Sequence, residues 1–205
     1  MLNHVGATWR RDDNPDPRKY AHGKLPVLRV NDTLIHDSDN IRIFLEQQGG
    51  DFWGVVSERD KAMGRGLIRM VEDHLYFHIV HDRWVNDAVW PTIKAAYFGN
   101  MPALLRGPIT RSIRKDVTRG LNMQGLGRMT EAERLTRLDQ DLDAIRALLS
   151  DRRFLLGDTP SLPDFSVAAI LEHIAGTPVK TPTSRRVADD QALMAYVARM
   201  KDIYE

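Results

Sequence analysis

Two periodicities divide the chain. Before residue 50 the apolar positions fall in short runs between polar turn residues, and beyond it they recur every three or four residues. Residues 26–30 and 33–36 are two such runs separated by Asn31-Asp32, a pair that tolerates the positive φ angles of a tight turn, so they predict a β-hairpin. Residues 7–10 form another strand candidate, followed over residues 11–22 by a polar loop in which Pro15 and Pro17 oppose a regular helix. Asp37-Ser38 then caps a helix that sets Ile41, Phe44 and Leu45 on one face and stops at Gly49-Gly50. The expected order is strand, loop, hairpin, helix.

The remainder predicts helices. Met63, Leu67, Met70, Val71, Leu75, Ile79 and Val80 trace one apolar stripe through residues 58–90, which Pro91 ends or kinks. Residues 103–120 and 130–149 follow on either side of Gly125–Gly127, the second with Leu135, Leu138, Leu142, Ile145 and Leu149 on one side. Helices over 162–174 and 189–203, with a loop over 176–182, complete the set. The change of period near residue 50 predicts two domains, 1–50 and 51–205.

Composition narrows the functional classes. Twenty-nine basic against 28 acidic side chains among 205 residues leave a net charge of +1, so no global field draws the protein to nucleic acid or an anionic membrane, and any electrostatic partner must be met locally. The absence of cysteine excludes disulfides, thiolate metal sites and a cysteine nucleophile from this chain. No stretch of about eighteen apolar residues is available to span a bilayer. Residues 1–11 lack the basic start and apolar run of a secretory signal, so a cytoplasmic protein without membrane insertion is expected.

The ordered string Gly23-Lys24-Leu25-Pro26, hairpin, Asp37-Ser38, amphipathic helix resembles the glutathione transferase superfamily, as does the downstream string Phe154-Leu155-Leu156-Gly157-Asp158-Thr159-Pro160-Ser161-Leu162-Pro163-Asp164. Glu72-Asp73-His74-Leu75-Tyr76 and Asp82-Arg83-Trp84 are similar to the failed-axon-connections and metaxin-like branch. The resemblance implies an α+β chain in which an incomplete thioredoxin-like domain precedes an all-helical one. It also implies glutathione as co-substrate, a small-molecule electrophile as the second reactant, and a homodimer.

At the residue level the resemblance implies a cis bond before Pro26, with the Leu25 N–H and C=O pairing the cysteinyl part of glutathione as an added strand does. Ser38 and the helix start suit the γ-glutamyl carboxylate, Asp37 its ammonium, and Lys24 the glycine carboxylate. Each residue also has a plain structural role: Pro26 opens a strand, and Asp37 and Ser38 cap a helix with no ligand present. Ser161-x-x-Asp164 reads as a structural capping box.

Other clusters carry less. His74, His78 and His81 share helical spacing but lack the companions of a metal site, so they are expected to face a cleft or solvent, and no metal is assigned. In the superfamily this helix lines the electrophile side, which makes Tyr76 and His81 candidate pocket walls. Arg106, Arg111, Arg114, Lys115 and Arg119 form a basic stretch that reads as a solvated face or an acidic partner's site, without the interleaved aromatics of nucleic-acid binding. Trp53, Trp84 and Trp90 read as core or interface anchors.

Family members that conjugate glutathione place a Tyr, Ser or Cys after the first strand. Here Met1–Gly6 reads as the last turn of the first helix, so a truncated start is expected and no catalytic residue is assigned. A non-catalytic scaffold that uses the helical domain as a partner surface is the alternative.

Overall fold

The structure, a computed structural model, describes residues 1–12 and 16–204, excepting the Arg18 side chain; Pro15 of the expected loop lies outside the described residues. The chain divides into two units, Met1–Val55 with Lys201–Glu205, and Val56–Met200. The architecture is α+β, with one two-stranded sheet followed by helices.

In the first unit β1 (Val27–Val30) and β2 (Thr33–His36) pair antiparallel, Val27 opposite His36 and Val30 opposite Thr33, around the expected two-residue turn. Asn31 takes φ 53°, in the left-handed region that asparagine tolerates. Helix α1 (Ser38–Gln47) buries Ile41 and Leu45. It ends where Gly49, at φ 93°, donates to the Glu46 carbonyl and Gly50 donates to the Leu45 carbonyl, the two bonds of a Schellman stop. Residues 1–7 repeat that pattern: Gly6 at φ 67° donates to the Asn3 carbonyl and Ala7 to the Leu2 carbonyl. The two stops touch, because a Cβ on Gly50 would stand 2.9 Å from Val5 Cγ1.

Residues 7–10 are not the expected strand. Thr8, Trp9 and Arg10 are all exposed, without the alternation of a half-buried strand, and the Trp9 indole donates back to Asn3 Oδ1 at 2.5 Å. Short apolar composition does not make a strand unless a ladder partner is in reach.

The second unit is helical. α2 (Glu58–Met70), a π turn (Val71–Leu75) and α3 (Tyr76–Trp84) run consecutively. Leu67, Val71, Leu75 and Ile79 are buried at four-residue steps, a spacing that drifts about 40° per step around a 3.6-residue helix. The wider π turn takes up that drift and keeps the four on one face. The expected long helix stops at Trp84, and Pro91 opens α4 (Trp90–Phe98) instead of closing its predecessor. Proline suits a first helical turn because its missing N–H has no partner to lose there.

α5 (Ala103–Gln124), α6 (Glu131–Leu149), α7 (Leu162–Ala175), α8 (Pro182–Ala188) and α9 (Gln191–Tyr204) complete the chain. α7 is the core element. Nine of its fourteen residues are buried, and it packs on α2, the π turn, α3 and α8. α8 was not expected; Thr181 caps it and Pro182 stands in its first turn. No helix among the described residues is long and apolar enough to cross a membrane.

Candidate functional site

The hairpin and the start of α1 bring four of the five candidate positions into one register. The Leu25–Pro26 bond is cis, in agreement with the resemblance. The Asp37 N–H donates to the Pro26 carbonyl at 3.1 Å, so residues 26 and 37 extend the β1–β2 ladder as a hydrogen-bonded pair. Hydrogen-bonded and non-hydrogen-bonded pairs alternate in an antiparallel ladder. The backbone groups of Leu25, Val27 and Arg29 therefore point away from β2, toward an edge that no strand covers among the described residues. Among the described residues the Leu25 N–H and C=O have no hydrogen-bond partner, and its side chain is exposed.

Asp37 is the N-cap of α1 and is exposed. Its Oδ1 accepts from the Asp39 N–H at 2.8 Å and its carbonyl from the Ile41 N–H at 3.0 Å. It holds φ 79°, a conformation that costs a non-glycine residue of order 1–3 kcal/mol and clusters at functional sites. Two of the first-turn N–H groups, those of Ser38 and Asn40, have no partner among the described residues, and neither has the Ser38 hydroxyl. Three donors thus open onto the positive end of the helix dipole beside one carboxylate, a set that fits a zwitterionic amino acid group. Asn40 is the contributor sequence reasoning missed; its place in the first turn was the available signal.

Lys24 is exposed. A cavity of about 500 Å³ in the same unit lies at the opposite end of α1, lined by His4, Val5, Ala7, Phe44, Gln48 and Asp51.

In the second unit the polar groups serve the fold. Asp164 is fully buried and accepts from Leu155 N–H, Ser161 N–H, Ser161 Oγ–H and Tyr196 O–H at 2.8–2.9 Å. Burial pushes its pKa up, against the pull of those four bonds. The expected capping box is present and its carboxylate also ties in residue 155 and α9.

The histidines do not behave as expected. His78 is buried, stands edge-on to the His74 ring at 5.3 Å, and its Nε2 has no partner among the described residues. Burial, with the His74 charge beside it, lowers its pKa from 6.5 to about 4. His74 meets the Asp141 carboxylate of α6 through Nδ1, a pairing across 67 residues with no signal in the sequence. Asp82, also buried, accepts from Thr181 Oγ1 at 2.5 Å. Among the described residues no group of three histidine or carboxylate side chains is placed to hold a metal ion. The basic stretch is split: Arg106 and Arg114 bond backbone carbonyls, whereas Arg111 and Lys115 are exposed. Trp84 and Trp90 stack within the unit, with ring centroids 5.4 Å apart.

Residues 1–89 match the family model of the glutathione S-transferase N-terminal domain, and residues 128–199 match that of the glutathione S-transferase C-terminal domain. Over 195 residues the chain is 31% identical to the isoprene-epoxide–glutathione S-transferase of Rhodococcus sp. (strain AD45), an alignment that covers 90% of this chain and 79% of that protein.

Proposed function

The chain belongs to the glutathione S-transferase family, and on that footing we propose that its first unit binds glutathione and presents the tripeptide's sulfur to a small electrophile. The open donors at the start of α1, beside the Asp37 carboxylate and the outward Leu25 backbone, carry this reading. The γ-glutamyl carboxylate takes the Ser38 and Asn40 N–H groups and the Ser38 hydroxyl, and its ammonium faces Asp37. The cysteinyl backbone pairs with Leu25 as a short added strand beside Pro26, and Lys24 receives the glycine carboxylate.

The reaction is nucleophilic substitution by sulfur: the thiolate attacks an electrophilic carbon, a C–S bond forms, and the leaving atom takes the bonding pair. The Rhodococcus relative's name specifies an epoxide, and we extend that class to this chain. In that case the C–O bond breaks and the ring oxygen leaves as an alkoxide that takes a proton. No residue among those described is assigned to thiol activation.

Glutathione-affinity retention and calorimetric titration test the reading. Asp37→Asn keeps the helix cap and removes only the charge opposite the ammonium, so the Kd should rise about tenfold or more, the weight of one charge-assisted bond. Ser38→Ala should weaken binding further. Retention of the parent chain that is unchanged in the double variant refutes the site. No retention of the parent refutes glutathione binding and favours a non-catalytic, metaxin-like scaffold.

A further inference from the structure

We infer that the tip of the α4–α5 hairpin docks on the surface of an anionic lipid bilayer. Residues 88–115 contain no Asp or Glu and five cations, Lys94, Arg106, Arg111, Arg114 and Lys115, in a chain where every other segment together carries twenty-four cations against 28 carboxylates. Charge that is balanced over the molecule is therefore one-signed over residues 88–115, between Asp87, which pairs with Arg114, and Asp116 further along α5.

The same segment exposes large apolar side chains. Leu104 is 88% exposed and Leu105 52%, with Ile109 one turn along α5 from Leu105, while on α4 Tyr97 is 52% exposed. Scattered apolar residues on a surface are ordinary, but a contiguous exposed patch marks an interaction site. Here Leu104, Pro108, Arg111 and Lys115 fall on one stripe of α5, at steps of four, three and four residues. Along that stripe the apolar part comes first and the cations follow.

The spacing suits a bilayer interface. Seven residues of helix separate Leu104 from Arg111, a rise of roughly 10 Å. An apolar face enters the headgroup and acyl boundary by about 5–10 Å, so leucines seated there leave Arg111 among the phosphates and Lys115, roughly 6 Å further along the helix, at their outer edge. Two other cations hold the tip in shape. The Arg106 guanidinium donates to the Gly99 and Met101 carbonyls at 2.7 and 2.8 Å, and Arg114 ties the base of the hairpin to the Trp84 and Val85 carbonyls. Lys94, Arg111 and Lys115 form no ion pair among the described residues, so their charge is available to lipid phosphates. The surface lies wholly within the second unit and is independent of the glutathione reading.

Co-sedimentation of the whole chain with vesicles tests this. Vesicles of phosphatidylcholine with 30% phosphatidylglycerol should bind it, and pure phosphatidylcholine should bind at least tenfold more weakly. Leu104→Asp with Leu105→Asp, and separately Arg111→Glu with Lys115→Glu, should each cut binding at least tenfold, since each cation near an anionic surface is worth roughly fivefold. Leu104→Trp should strengthen it. All four altered side chains project into solvent, and circular dichroism checks that the variants stay folded. Absence of binding to the anionic vesicles overturns the inference, as does binding that ignores both double variants. A dimer in sedimentation equilibrium that Leu104→Asp dissociates would also overturn it, because the patch would then belong to a second copy.

Discussion

Replacing Asp164 with alanine distinguishes a simple helix cap from a buried junction. A cap alone is worth about 0.5–2 kcal/mol. Asp164, however, is fully buried and accepts four hydrogen bonds, from Leu155 N–H, Ser161 N–H, Ser161 Oγ–H and Tyr196 O–H, so its removal strands donors from the chain before α7 and from α9. Each buried donor left without an acceptor costs about 1–3 kcal/mol. Relief of the carboxylate's own desolvation, which pushes its pKa up, offsets part of that total. The expected net loss is about 3–5 kcal/mol, the range found when one partner of a buried charged network is deleted. For a domain of this size it corresponds to a fall in Tm of roughly 10–15 °C. Urea denaturation at neutral pH, followed by circular dichroism, measures it. Asp164→Asn keeps one acceptor for Leu155 and Tyr196 but turns an NH2 toward the Ser161 N–H, and should fall between parent and alanine. A loss under about 2 kcal/mol for alanine, within the reach of a cap alone, would refute the junction argument.

His78 should make stability depend on pH. Its folded pKa lies near 4, below the unfolded value of 6.5, so between those values the unfolded chain binds more protons. The contribution is fully present above pH 6.5 and is lost as pH falls to about 4, by about 3 kcal/mol in all. The groups that act on it are His74, Asp141, Asp82 and Arg134; His78→Gln should flatten the unfolding free energy across that window, and an unchanged slope would contradict the assignment. Arg114→Ala removes bonds to the Trp84 and Val85 carbonyls and to Asp87, and a cation over the Trp90 ring at 5.2 Å. It should cost about 2 kcal/mol in equilibrium unfolding, and a change under 0.5 kcal/mol would show those contacts to be inconsequential.

Local chemistry was legible where it is self-contained. The Asn31-Asp32 turn, the Asp37 cap and the Gly49-Gly50 stop each depend on a few adjacent residues, and the structure has all three. The candidate cradle was readable for the same reason, since its parts directly flank the hairpin and open the next helix. What failed depended on partners far along the chain. Residues 7–10 have strand-like composition without a ladder, and the π turn shows only as an apolar step of four that a helix equally allows. His78 looked surface-bound because the stripe gave no sign that α6 supplies Asp141 to its neighbour His74. Pro91 was ambiguous in principle: the same ring that ends one helix begins another.

The outer row of β1 has a consequence for self-association. Among the described residues the margin of this two-stranded sheet is uncovered, and such an edge is a template for another copy of itself. Arg29, an exposed cation, sits within that four-residue strand. A twin aligned margin to margin brings its own Arg29 into the same few ångströms, where like charges repel. A partner only two or three peptide units long escapes that clash by stopping short of the arginine. On the proposed reading, a tripeptide paired beside Leu25 ends before Arg29, so the charge that meets a full-length strand does not meet the ligand.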